Sequence, residues 1–248
     1  MCIRDRQSPA AYTPSRVVRW RRSTTRAPRT PVSAPASAAS SLLGVTPNAE
    51  LAGEAGAERG RRGALVVDRR QRTTLDGVYA AGDCCESRHL VSGRPIHVAL
   101  GTVANKQGRV AGINLGGGYA TFPGVVGTAI TKICSFEVAR TGLTEREALA
   151  EGFSAVAATI EATTIAGYMP DTKPMAMKLV AEQGTGRLLG AQIVGEERSA
   201  KRIDTLATAL HARLRVDELV DLDLAYAPPF SSTWDPIHVA ARRLLNAV

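Results

Sequence analysis

The chain is predicted to fold as an α/β segment followed by an α+β domain. Three observations carry that prediction. Short apolar runs at residues 63–68 and 77–83 end on turn residues and lead into one long helical stretch, the pattern of strands buried on both faces. Further on, a helix-capping signature, a glycine turn between two apolar runs and two amphipathic stretches follow one another. Charge marks where neither part begins. Of a formal net charge of +8, residues 1–42 hold eight arginines against the single acid Asp5, whereas the remaining chain is nearly balanced.

Residues 1–42 also carry Pro9, Pro14, Pro28, Pro31 and Pro35 and an Ala/Ser/Pro run, with neither helical nor strand periodicity, so they are expected to be disordered. The prolines interrupt any amphipathic targeting helix. Ordered chain is expected from Leu42, with a short helical stretch reaching Ala55. Residues 69–76 form a polar link between the two apolar runs, and a helix is expected over about 98–115. Ala99, Val103, Val110 and Ile113 can share one face of it, and Gly116, Gly117 and Gly118 stop it.

The second domain is expected from about Gly127. Thr144 and Glu147 form a capping box, and Gly152 can close that helix. A strand is expected over 155–162. Met175, Met177 and Leu179 alternate with Lys178 in a further strand, and Gly184-Thr185-Gly186 turns the chain back through 188–194. Ile203, Leu206, Ala207, Leu210 and Leu214 recur at helical spacing, and Asp235 caps a last helix with Pro236 at its first position.

Several function classes are set aside. No apolar stretch approaches the roughly 18–20 residues that cross a bilayer, and no signal peptide is evident, so a cytoplasmic location without membrane contact is expected. The basic excess sits in the tail, so no nucleic-acid partner is expected. Cys84 and Cys85 are adjacent, which rarely suits disulfide geometry. The four histidines lack ligand spacing, so no metal site is expected.

Two patterns carry chemistry. In the first, Ala80-Ala81-Gly82-Asp83 closes an apolar run, and a helix start follows at Pro95-Ile96-His97-Val98. The glycine permits close approach, the carboxylate can accept from a hydroxyl, and the helix start offers free N–H groups to an electron-rich oxygen. The same residues equally make an ordinary strand-to-loop turn. In the second, Tyr226-Ala227-Pro228-Pro229-Phe230 sets a phenol on a stiff support, although Tyr226 and Phe230 by themselves read more simply as packing residues beside a proline turn.

The segment Thr73-Thr74-Leu75-Asp76-Gly77-Val78-Tyr79-Ala80-Ala81-Gly82-Asp83-Cys84 resembles the second flavin-binding segment of pyridine nucleotide-disulphide oxidoreductases. Leu100-Gly101-Thr102-Val103-Ala104-Asn105-Lys106-Gln107 is similar to the branch containing coenzyme A-disulfide reductases and NADH oxidases. The resemblance implies an α/β remnant of a nucleotide-binding domain over 43–122, followed by an α+β dimerisation domain over 123–248. It implies FAD as cofactor, with Gly82, Asp83 and the backbone of Val98 and Ala99 facing it, and NAD(P)H as reductant. It also implies a homodimer acting on coenzyme A disulfide or a similar thiol substrate, with Tyr226, and Tyr168 in Gly167-Tyr168-Met169-Pro170, beside the partner's redox cysteine.

NADH oxidase, and a dimerisation module without catalysis, are the alternative functions. The chain contains no G-x-G-x-x-G turn, and the family's redox cysteine has no counterpart in it. The chain alone is therefore expected to be inactive, with residues 1–42 foreign to the family, the product of a truncation, frameshift or assembly error. Apolar faces at 64–67 and 77–81 are expected to be exposed.

Overall fold

The computed structural model describes residues 2–4, for their backbone alone, 45–60 and 62–248. In chain order the elements are β1 (Cys2–Arg4), α1 (Glu50–Glu54), β2 (Val78–Ala80), β3 (Ser87–Arg88), β4 (Pro95–Ile96), α2 (Gly101–Leu115), β5 (Ala129–Ile133) and β6 (Phe136–Gly142). There follow α3 (Glu145–Ala150), β7 (Ala155–Thr163), β8 (Pro174–Glu182), β9 (Leu188–Gly195), a 3₁₀ turn at Ala200–Arg202, α4 (Ile203–Ala212), α5 (Val216–Val220) and α6 (Pro236–Leu245). They form two compact units. One comprises Met1–Ser87 and His97–Phe122, the other Arg88–Ile96 and Pro123–Val248.

The first unit has little regular strand. Of the run 77–83 only Val78–Ala80 is a strand, because Gly82 turns at φ +90. The run 63–68 forms no regular strand but is bridged at Leu65 on both sides: Leu65 N–H reaches Cys84 O at 2.8 Å and its carbonyl accepts from Glu86 N at 2.9 Å, while Val66 N–H donates to Glu58 O at 3.0 Å and Ala64 O accepts from Gly60 N at 2.8 Å. A tight turn at Asp68 ends it, with Gln71 N–H bonded to Asp68 O.

β2 pairs with residues 71–73 on one side and with Cys2–Arg4 on the other, Ile3 opposite Tyr79. That pairing corrects the expected disorder of residues 1–42 at these three positions: the edge of β2 offers unpaired N–H and C=O groups, and β1 satisfies them. The rest of that segment, with the expected onset of order at Leu42, lies outside the described residues.

The expected exposure of apolar faces at 64–67 and 77–81 is also corrected. Ala64, Leu65 and Ala80 are fully buried, because Ala49, Ala52, Ala57, Cys84 and Cys85 pack around Leu65 and Ala80. Tyr79 and Ala81 pack against Ala111 of α2. The buried stripe of α2 is Val103, Gln107, Val110, Ala111 and Asn114, helical in spacing but polar at two places. Gly116 caps the helix and Gly117 follows at φ +82, as expected of the glycine run.

The second unit is built on a five-stranded antiparallel sheet in the order β5-β6-β9-β8-β7. The expected hairpin is its centre, with Met177 opposite Ile193 and Leu179 opposite Ala191. Met175, Met177, Leu179 and Ile193 share one face of the sheet, and Ile203, Leu206 and Leu210 of α4 and Ile237, Ala241 and Leu244 of α6 belong to the same core. Each of the Met, Leu and Ile side chains among them contributes about 1.5–3 kcal/mol by leaving water.

Close approach at the sheet's centre requires glycine. A Cβ on Gly190 would collide with the backbone of Leu143. Local signals fold as read. Thr144 Oγ1 accepts from Glu147 N at 3.2 Å while the Glu147 carboxylate accepts from Thr144 N at 2.8 Å, and Gly152 closes α3 at φ +87. Asp235 caps α6 through Ile237 N at 2.9 Å, with Pro236 beginning the helix.

Candidate functional site

The expected site residues fall into one group in each unit. In the first unit Gly82 follows the end of β2, and its N–H donates to Gln107 Oε1 at 2.9 Å. Gln107 is nearly fully buried and its amide also donates to Ser87 Oγ at 2.9 Å and Glu86 O at 3.3 Å. One side chain of α2 therefore fixes the turn 82–87 from inside. A Cβ at Gly82 would sit 3.4 Å from Ala104 Cβ, and φ +90 strains any other residue there.

The turn leaves Asp83 exposed, its carbonyl 2.8 Å from His97 Nε2. Beside it Glu86 is largely buried, and desolvation pushes its carboxyl above the usual range. His97 opposes that shift, and Glu58 adds to it.

Val98 and Ala99, expected at the start of the helix, precede it. Leu100 is extended and its carbonyl accepts from Val103 N and Ala104 N, so α2 begins at Gly101. No side chain caps it. The N–H groups at the helix start thus belong to Gly101 and Thr102, both exposed. Cys84 and Cys85 are buried, their thiols 3.6 Å from Ala81 O and 3.4 Å from Gly82 O, an arrangement that serves packing.

In the second unit the segments that carry the two tyrosines meet. Tyr168 lies in the turn after β7, closed by Met169 N to Ala166 O at 2.9 Å, and Tyr226 precedes a turn in which Ala227 O accepts from Phe230 N at 2.8 Å. Ala166 N–H to Pro228 O, 3.1 Å, joins the two segments. A partial loss of solvent and the neighbouring Tyr226 hold the Tyr168 phenol above its ordinary value. Both remain open to solvent, Tyr168 at 75% and Tyr226 at 50% exposure, beside the equally open Phe230.

Sequence reasoning missed the supports of both groups. Gln107 had a signal: a polar residue four after Val103 and three before Val110 occupies a core position of the helix. Arg202 had none, since its partners Asp235, Thr164, Phe230 and Arg198 come together only in the fold. A cavity of about 940 Å³ in the first unit, lined by Asp68, Arg72, Tyr79 and Asn114 among others, contains none of the expected site residues. Among the described residues no group of three or more His, Cys, Asp or Glu is arranged to hold a metal, and no helix is long and apolar enough to cross a membrane.

The chain belongs to a known class, the pyridine nucleotide-disulphide oxidoreductase family. Residues 28–113 match the family's pyridine nucleotide-disulphide oxidoreductase domain, and residues 128–236 match its dimerisation domain. The first match begins upstream of Leu43, where family resemblance was expected to start.

Among curated relatives, the chain is 45% identical over 201 residues to an NAD(P)H coenzyme A polysulfide/persulfide reductase of Pyrococcus horikoshii, covering 81% of this chain and 45% of that protein. Among solved structures it resembles an NAD-dependent persulfide reductase from A. fulgidus, with 44% identity, a TM-score of 0.79 and coverage of 82% of this chain and 38% of that one. It also resembles an FAD-dependent pyridine nucleotide-disulphide oxidoreductase from Desulfovibrio vulgaris, at 34% identity and a TM-score of 0.67, over 83% of this chain and 48% of that one. The chain thus spans less than half the length of these relatives.

Proposed function

We propose that this chain supplies the tyrosine-bearing part of an FAD-dependent disulfide oxidoreductase that draws on NAD(P)H and acts, as a homodimer, on coenzyme A disulfide or a related thiol acceptor. The observation that carries this reading is the bond from Ala166 N–H to Pro228 O, which brings the segments of Tyr168 and Tyr226 together while both phenols stay open to solvent. Packing residues would be covered. Phenols with an ordinary pKa of about 10 stay protonated at neutral pH, and the upward shift of Tyr168 reinforces that state. Either O–H can then donate to a thiolate as it departs from a disulfide, lowering the cost of the developing charge.

The residues around Asp83 fit one part of a flavin. Its exposed carboxylate can accept from a ribityl hydroxyl, Gly82 presents bare backbone, and the uncapped N–H groups of Gly101 and Thr102 suit an electron-rich ring oxygen. When bound, the flavin supplies the acceptor for hydride and relays electrons to a disulfide. Without a G-x-G-x-x-G turn for the pyrophosphate, binding by this chain is expected to be weak.

Two titrations test the reading. FAD fluorescence should be quenched by the chain, and Asp83→Ala should weaken that binding about tenfold or more, as expected for losing a charge-assisted hydrogen bond. Coenzyme A disulfide should move the ¹³Cζ signals of Tyr168 and Tyr226 in tyrosine-labelled protein. Quenching that is unchanged by Asp83→Ala contradicts the flavin assignment, and tyrosine signals indifferent to coenzyme A disulfide contradict the substrate assignment.

A further inference from the structure

We propose that Arg202 is the positioning residue of the tyrosine pair, clamping from below the two segments that carry the phenols. The inference rests on the reading of Tyr168 and Tyr226 given above, but its geometry is independent of any cofactor.

The guanidinium is spent on four acceptors. Nε donates to Asp235 Oδ2 at 3.0 Å, and Nη1 to Arg198 O at 2.9 Å. Nη2 donates to Thr164 O at 2.7 Å and to Phe230 O at 3.2 Å. The last two bonds set Arg202 apart from an ordinary ion pair. Thr164 stands four residues before Tyr168 and Phe230 four residues after Tyr226, so a single nitrogen ties together the segments on which the phenols depend.

Asp235 aims the fork. Its Oδ2 also accepts from Ser231 Oγ at 2.9 Å, and its Oδ1 caps α6 through Ile237 N, which fixes the carboxylate to the start of a helix. The side chains of Arg202 and Asp235 are only 11% and 12% exposed, so neither is free to wander in solvent. The bond from Ala166 N–H to Pro228 O then sets the spacing between the segments above the clamp.

Lysine cannot reproduce this arrangement. An ammonium keeps the charge opposite Asp235 but lacks the planar fork that reaches a carboxylate and three carbonyls at once. Arg202→Lys is therefore the informative variant, and Arg202→Gln the more severe one.

The test is a pH titration of the full chain labelled with ¹³Cζ-tyrosine, with the methyl signals of Met175 and Met177 reporting the core of the same unit. In Arg202→Lys the methionine signals should stay in place, while the Tyr168 and Tyr226 signals shift and the Tyr168 midpoint falls towards the ordinary phenol value. Arg202→Gln should enlarge the same change. Tyrosine signals and a Tyr168 midpoint that coincide with those of the unmodified chain in Arg202→Lys overturn the proposal. Loss of the methionine signals in Arg202→Lys overturns it too, because Arg202 would then be holding the whole fold rather than the pair. Tyrosines that respond to the substitutions but ignore coenzyme A disulfide would leave the clamp standing and remove the substrate reading instead.

Discussion

The two units solve the problem of burying apolar surface in different ways. The second closes one continuous core between a five-stranded sheet and helices α4 and α6, with Met177, Leu179, Ile193, Leu206 and Leu244 fully buried. Among the described residues, the first has two smaller clusters, one around Leu65 and Ala80 and one around Tyr79 and Ala111. Its order depends more on polar side chains inside. Gln107 fixes the turn at Gly82, and the Asn114 amide serves Arg70 O, Val110 O and Ala120 O while its carbonyl accepts from Ala120 N. A unit held by apolar area tolerates single losses as graded costs, whereas one held by a few saturated amides loses a connected set of bonds at once.

The sharpest way to separate the units is to damage each core in turn. Leu206→Ala should destabilise the second unit by about 2–5 kcal/mol, read from hydrogen exchange of the β8 and β9 amides. Leu65→Ala should leave those amides unchanged and lower protection around Cys84 and Glu86. Equal loss in both units from either change would make the chain a single cooperative block. Gln107→Leu comes next. It keeps the volume but leaves the Gly82 N–H without its acceptor, so about 1–3 kcal/mol should be lost from the first unit alone.

The smaller Thr144→Ala should cost about 1 kcal/mol of the second unit's stability by removing one half of the capping box. Smallest of all, Tyr226→Phe removes an exposed hydroxyl and should shift thermal unfolding by no more than about 0.5 kcal/mol. A large shift there would assign Tyr226 to the fold instead of to chemistry.

Acidification should move the units in opposite directions. His89 is buried in the second unit, and desolvation holds its pKa below the usual 6.5, against the pull of the Val126 backbone and nearby Glu147. The unfolded chain takes up that proton more readily, so this unit's stability is complete above pH 6.5 and falls as pH drops below it.

Glu147 adds a second loss. Burial opposes its charge, but bonds from Arg140 and Thr144 outweigh that and keep its carboxyl below 4.5, so its contribution disappears as pH falls through that lowered value. Glu86 in the first unit has the reverse sign. With its carboxyl raised by burial, ionisation costs stability at neutral pH, and the cost vanishes as pH falls through the raised value to 4.5. Hydrogen exchange between pH 7 and 5 should therefore show the second unit weakening relative to the first, and Glu86→Gln should remove the first unit's gain.

The same contrast governs what was legible in the sequence. The second unit's hairpin, its capping box and the Asp235–Pro236 helix start are written in local patterns, and each folds as read. Strand β5 went unread because Ile130, Lys132 and Ile133 are all exposed, leaving no alternation of burial to detect. In the first unit the two short apolar runs read as buried strands, yet the first is only bridged at Leu65 and the turn at Gly82 cuts the second short. The start of α2 shifted from Val98 to Gly101 because β-type geometry at Leu100 leaves no mark in composition. Among the candidate site residues, Asp83, Tyr168 and Tyr226 were named from motif resemblance alone. Arg202 stayed hidden because its role consists entirely of long-range bonds to carbonyls, which any residue type can provide.

The account turns on the second unit acting as a dimerisation domain that presents Tyr168 and Tyr226 to a partner. Sedimentation of the purified chain over a range of micromolar concentrations tests that most directly. A species of twice the 26.2 kDa chain mass, persisting on dilution, is the predicted result. A single 26.2 kDa species at every concentration would contradict it.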